Sequence, residues 1–178
     1  MKQVEAFLAT PASTRVGRHD GLGADEVARL VRRLPAISRH ADAVEASGIG
    51  NSIQHDDLHD GNVFLASDGH RLFDWGDAAV SHPFGSMIVA LASVMYRTEL
   101  AADAPELRRL RDAYLEPWRA GRSDGDVDRS VRAVERVYPL MRALTWAGAF
   151  AGLPVAAPHE HRGAVAEWIR DFMEAEAG

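Results

Sequence analysis

His55-Asp56-Asp57-Leu58-His59-Asp60-Gly61-Asn62, joined by a short apolar stretch to Phe73-Asp74-Trp75-Gly76-Asp77-Ala78, decides how this chain is read. The first segment is a dense polar loop with two histidines, three aspartates and an asparagine. Between the segments, apolar Val63-Phe64-Leu65 leads to Ser67-Asp68-Gly69 and back through Leu72-Phe73, which predicts a β-hairpin. A hairpin of this size sets its ends side by side. Asn62 and Asp74 are therefore expected as neighbours at the open end of one small sheet.

Outward from that stretch the pattern is helical. Val27, Leu30, Val31 and Leu34 recur at one-face spacing, so a helix is predicted from Asp25, with Pro35 interrupting it. A second helix is expected over about 36–46, ended by Ser47-Gly48-Ile49-Gly50-Asn51. Phe84, Met87, Ile88, Leu91 and Met95 predict a strongly apolar helix buried on more than one face. Leu107, Leu110, Tyr114, Leu115 and Trp118 mark another, and a long run from Val127 should kink or break at Pro139. The last helix is expected from Glu160 to Ala175. Residues 1–23 carry little pattern and read as loop or short helix. The fold class that follows is mainly α with a small β-hairpin sheet.

At 178 residues the chain fits one domain able to bury a core. It has no cysteine, which excludes disulfides and thiolate chemistry. No apolar run approaches the roughly 20 residues that span a bilayer, and the N-terminus lacks the apolar core of a signal peptide. A cytoplasmic protein, without a membrane partner, is the expectation. The net charge of −6 is concentrated, since residues 51–105 hold 2 Lys/Arg against 8 Asp/Glu. Such a segment repels nucleic acid and favours cations, whether a metal ion or a basic substrate.

The polar loop has a definite chemistry. A carboxylate and an amide oxygen, Asp74 and Asn62, meeting at a hairpin's end suit Mg²⁺, a hard cation that takes oxygen donors and shares its shell with substrate phosphates. Asp57, close by but not required as a ligand, can accept a proton from a hydroxyl or orient it for attack. Phosphoryl transfer uses this arrangement.

Residues 55–62 resemble the catalytic loop of the aminoglycoside phosphotransferase and choline kinase-like enzymes, His-x-Asp-Leu-His-x-x-Asn. These are relatives of the protein kinases. Phe73-Asp74-Trp75-Gly76-Asp77-Ala78 is similar to the family's metal-binding segment, Ile-Asp-Trp-x-x-Ala. The resemblance implies that Asp57 is the catalytic base or orienting residue, and that Asn62 and Asp74 hold Mg²⁺ on ATP. His55, His59 and Asp77 would support the loop. Asp56 and Asp60 depart from the family's frequent Gly and Pro.

The acceptor implied is a hydroxyl on a small molecule, expected to be cationic. Glu99, Asp103, Glu106 and Asp112 are candidates to line its pocket. The resemblance covers a C-terminal lobe of a protein-kinase-like α+β fold, residues 24–178, after an N-terminal segment over 1–23. No Gly-x-Gly-x-x-Gly precedes His55 and the only lysine is Lys2, so the nucleotide-binding N-terminal lobe is expected to be absent. The chain alone is then expected to be weakly active or inactive. Its uncovered cleft face would favour self-association or a partner.

Two other readings stand beside this one. The chain can be a non-catalytic kinase-like lobe acting as a binding or interaction module. His19-Asp20 and His55-Asp56 also suggest a helical His/Asp metal phosphohydrolase, although His55-Asp56 falls between strand signals rather than on a helix.

Overall fold

Leu30 and Ile37, on the apolar faces of two successive helices, are both buried and belong to one helical core. The computed structural model describes residues 2–10, 14, 18–154 and 161–175. The chain divides into two units, Met1–Ala43 with Arg136–Gly178 and Val44–Glu135.

The regular structure of the first unit is all helical among the described residues. It holds α1 (Lys2–Leu8), α2 (Ala24–Arg32), most of α3 (Leu34–Glu45), the later part of α6 (Asp124–Phe150) and α7 (Ala164–Ala175). Phe7, Leu30, Leu140, Ile169 and Phe172 close its core, each large side chain contributing about 1.5–3 kcal/mol by leaving water. Glu26 ties α2 to α7. Its carboxylate accepts from the Gly23 N–H at 2.7 Å and pairs with Arg170 Nε at 2.8 Å, while Arg170 Nη2 reaches the Gly21 carbonyl at 3.0 Å. The Arg170 guanidinium, then the Gly23 N–H, hold the Glu26 carboxyl below its usual range.

Two prolines act differently from the sequence expectation. The first break falls at Arg33, while Pro35 is the second residue of α3. Its missing N–H costs nothing there, because donors in a helix's first turn have no intrahelical partner. Pro139 sits inside an unbroken 27-residue α6. It removes a single backbone bond, and buried Tyr138, Leu140 and Ala143 beside it retain the helix. The expected start of the last helix at Glu160 lies outside the described residues, and 161–163 form a turn. Residues 11–13 and 15–17 of the expected N-terminal loop also lie outside them.

The second unit carries the polar loop. Among the described residues there are two two-stranded antiparallel sheets rather than one. β2 (Val63–Ala66) and β3 (Gly69–Leu72) make the expected hairpin, Val63 opposite Leu72 and Ala66 opposite Gly69. Gly69 closes its turn at φ 138°, a backbone conformation open to glycine. β1 (Ser52–Gln54) pairs instead with β4 (Ala79–Ser81), Ile53 opposite Val80. Three-residue strands separated by a hairpin leave little periodicity in the sequence to announce that pairing.

Helix α4 (Phe84–Thr98) follows, then α5 (Pro105–Leu115). Phe84 is fully buried and meets the Trp118 ring edge-on at 5.9 Å. Tyr114 donates to the Pro83 carbonyl at 2.6 Å. His82 accepts from the Phe84 N–H through Nδ1 at 3.3 Å, leaving Nε2 to face Ser47 Oγ at 3.4 Å. Burial pushes the His82 imidazole down to about 4. Contrary to expectation, α4 is buried only over Phe84–Met87. From Ile88 onward it is partly open, because the hairpin does not close over that face. No helix among the described residues is long and apolar enough to cross a membrane.

Candidate functional site

The polar loop is built by two chain reversals and a cap. After β1 the chain turns at Asp56, which adopts φ 60° and is buried. Aspartate tolerates this left-handed region better than most residues, yet it is strained there. His59 then caps a 3₁₀ turn, Asp60–Asn62, its Nδ1 accepting from the Gly61 N–H at 3.0 Å. A Cβ on Gly61 would come within 2.7 Å of the His59 ring, so the cap requires glycine.

That bond fixes the tautomer of His59. With Nδ1 accepting, the ring proton lies on Nε2, which faces Asp57 Oδ2 at 3.5 Å. The 4.0 Å approach of Asp60 Oδ1 to Nδ1 is then no ion pair. Asp60 is instead held by Arg97, whose Nε and Nη2 reach its two oxygens at 3.2 Å each. Sequence reading missed Arg97, and no local signal offers it, since the contact spans 37 residues.

Asn62 is buried and donates through Nδ2 to the Asp57 carbonyl at 3.0 Å, with Asp57 Oδ2 at 3.5 Å. Facing two oxygens, that atom must be the amide nitrogen, so Oδ1 remains as an oxygen donor. The Asn62 carbonyl accepts from the Phe73 N–H at 3.2 Å. The hairpin thus brings Asn62 beside the residue preceding Asp74, as the sequence leads one to expect.

Asp74 is the second strained aspartate, at φ 61° and ψ 62°. Both Asp74 and Asp77 are exposed, and neither carboxylate has a hydrogen-bond or ion-pair partner among the described residues. His55 braces the segment from below. It is buried, its Nε2 donates to the Phe73 carbonyl at 2.9 Å, and its ring lies 4.7 Å from that of Trp75. The Trp75 indole N–H bonds the Leu72 carbonyl at 3.1 Å.

The other named carboxylates do not join this cluster. Glu99 ends α4 in the left-handed region, Glu106 faces Arg109 at 3.5 Å and Asp112 pairs with Arg119 at 3.0 Å. The Asp103 carbonyl takes Arg108. Neither His19-Asp20 nor His55-Asp56 lies on a helix. Among the described residues no group of three or more His, Asp or Glu side chains is arranged to hold a metal ion. That leaves room for a site of one carboxylate and one amide, which is what a phosphate-shared Mg²⁺ needs.

The sequence pattern of the phosphotransferase enzyme family matches residues 3–123, more than half of the chain and both polar segments. The chain belongs to the phosphotransferase enzyme family. No curated protein and no solved structure matches it. Membership bears out the resemblance read from residues 55–62 and 73–78. It also implies, in general terms, phosphoryl donors and metal ions as the family's working parts.

Proposed function

We propose that the chain transfers the γ-phosphoryl group of ATP to a hydroxyl of a small molecule, with Mg²⁺. The carrying observation is the joint of the two polar segments. Asn62 binds Asp57 through its amide nitrogen, accepts from Phe73 through its carbonyl, and so sits beside the unpaired Asp74. The donor set fits a hard cation. Asn62 Oδ1 and the Asp74 carboxylate would hold Mg²⁺, which when bound offsets the phosphate charge.

Asp57 supplies the acceptor side. Its carboxylate receives the hydroxyl proton as the acceptor oxygen forms a bond to the γ-phosphorus. The bond from that phosphorus to the β,γ-bridging oxygen breaks, and ADP leaves with the electron pair. His59 Nε2 faces Asp57 Oδ2 at 3.5 Å and helps to orient that carboxylate. His55 and Trp75 hold the Asp74 segment, and Asp77 adds negative charge beside it. In this reading residues 24–178 act as the catalytic lobe of a protein-kinase-like fold.

A second reading, a non-catalytic binding module, is favoured by the exposed apolar residues of the two sheets. Ile53, Phe64, Leu65 and Val80 are each at least 60% exposed, enough to seat a partner or a second copy. Calorimetric titration of Mg·ATP into the wild-type chain and an Asp74→Asn variant separates the two. Binding in the wild type that is lost in the variant supports the transferase. No binding by the wild type overturns transfer by this chain alone and leaves either a lobe that needs a nucleotide-binding half or an interaction module.

A further inference from the structure

Beside the polar loop lies an open pocket of about 590 Å³ whose walls are the loop, the hairpin and α4. Its position follows from two periodicities. Ala90, Ser93, Val94 and Arg97 lie one turn apart on a single face of α4. Val63, Leu72 and His70 share one face of the hairpin, where Val63 and Leu72 are a cross-strand pair. Leu58 and His59 form the end nearest Asp57.

We propose that this pocket binds the acceptor's body, and that the acceptor is an alcohol carrying an uncharged apolar ring or chain. The inference rests on the transferase reading above, since it assigns the substrate class of that site. The volume lies within the roughly 300–1,000 Å³ of small-molecule sites, which are apolar with a few polar groups.

Charge decides the class. The only carboxylate lining the pocket is Asp60, and both its oxygens are taken by Arg97. With Asp60 paired to Arg97 the lining carries no net negative charge, so nothing in it selects a cationic guest over a neutral one. The acidic excess of residues 51–105 lies elsewhere, on Asp74 and Asp77 among others. His59 joins the two places. It lines the pocket, and its Nε2 lies 3.5 Å from Asp57 Oδ2. A hydroxyl at that end of the guest meets the candidate base while the apolar part rests against Val63, Leu72 and Val94.

The test is saturation-transfer NMR with 4-phenyl-1-butanol, and with 2-deoxystreptamine as a cationic comparison, on the whole chain without nucleotide. Two variants accompany it, Ala90→Phe to fill the pocket and Leu72→Gln at a position exposed enough to spare the fold. The neutral alcohol should bind the wild type and be weakened about tenfold or more by each variant, the scale of one lost apolar contact. The diamine should bind more weakly than the alcohol. Absence of alcohol binding, binding by the variants as tight as by the wild type, or preference for the diamine would each overturn the proposal. Because the readout needs no ATP, loss of Mg·ATP binding would sink the transferase reading and leave this result standing. Phosphorus NMR of the alcohol with Mg·ATP then reports whether the pocket serves the transfer.

Discussion

In the unit formed by residues 1–43 and 136–178, Leu30, Ile169 and Phe172 have no exposed surface, whereas in the sheets of the other unit Leu65 and Val80 are each 73% exposed. The first region has a closed apolar core, and its described helices hold no non-glycine residue at positive φ. The second has exposed apolar strands, two aspartates in the left-handed region and two carboxylates without partners among the described residues. A sequence under selection for stability alone would keep none of those features, since strain and bare charge each cost free energy. Their concentration within residues 53–80 coincides with the two polar segments on which the proposed function rests.

The largest effect that would break this contrast is in the closed core. Phe172→Ala should cost about 3–5 kcal/mol of unfolding free energy, the range for removing a buried aromatic ring. Leu65→Ala on the hairpin should change it by less than about 0.5 kcal/mol, as exposed substitutions do. Urea unfolding of both variants checks the pair. A costly Leu65→Ala would show that the hairpin is part of a closed core, and the comparison would fail.

Acid tests the polar unit from inside. His82 is neutral when folded and its imidazole is pushed down to about 4 from an ordinary 6.5. Its unfolded form therefore binds a proton first. The stability it contributes is fully present above pH 6.5 and is lost as pH falls from 6.5 toward 4, by up to about 3 kcal/mol. Urea midpoints between pH 7.5 and 4 should fall more steeply in the wild type than in His82→Asn, which keeps an acceptor for the Phe84 N–H. Equal slopes would mean that His82 is protonated without penalty.

How much of this was legible in the sequence depends on range. Asp57, Asn62 and Asp74 stood out because a short hairpin joins them, so contact and sequence order coincide. The helices were visible in their periodicity. Pro35 and Pro139 misled because proline disrupts only where an N–H is needed and packing does not compensate. The β1–β4 pairing, the Arg97–Asp60 ion pair and the open face of α4 left no local trace. Each joins residues well apart in the chain, and α4 shows the same apolar stripe whether a neighbour covers it or a pocket does.

The smallest effect is the sharpest test, because it concerns one backbone position. Asp74 holds φ 61° and ψ 62° with an exposed, unpartnered carboxylate, so its strain is not offset by any side-chain bond. Glycine at 74 removes the Cβ that disfavours this region, and alanine keeps it while losing the carboxylate. Asp74→Gly should therefore be more stable than Asp74→Ala by about 1 kcal/mol, the order of the left-handed penalty, measured by urea unfolding. Both should lose Mg·ATP binding alike. If the glycine variant gains stability and loses binding together, the position is held in strain for the sake of its carboxylate. If glycine and alanine are equally stable, residue 74 relaxes out of the left-handed region once the carboxylate is gone. The strain would then belong to the carboxylate's own placement rather than to the turn, and the contrast between the closed core and the strained site would lose its clearest member.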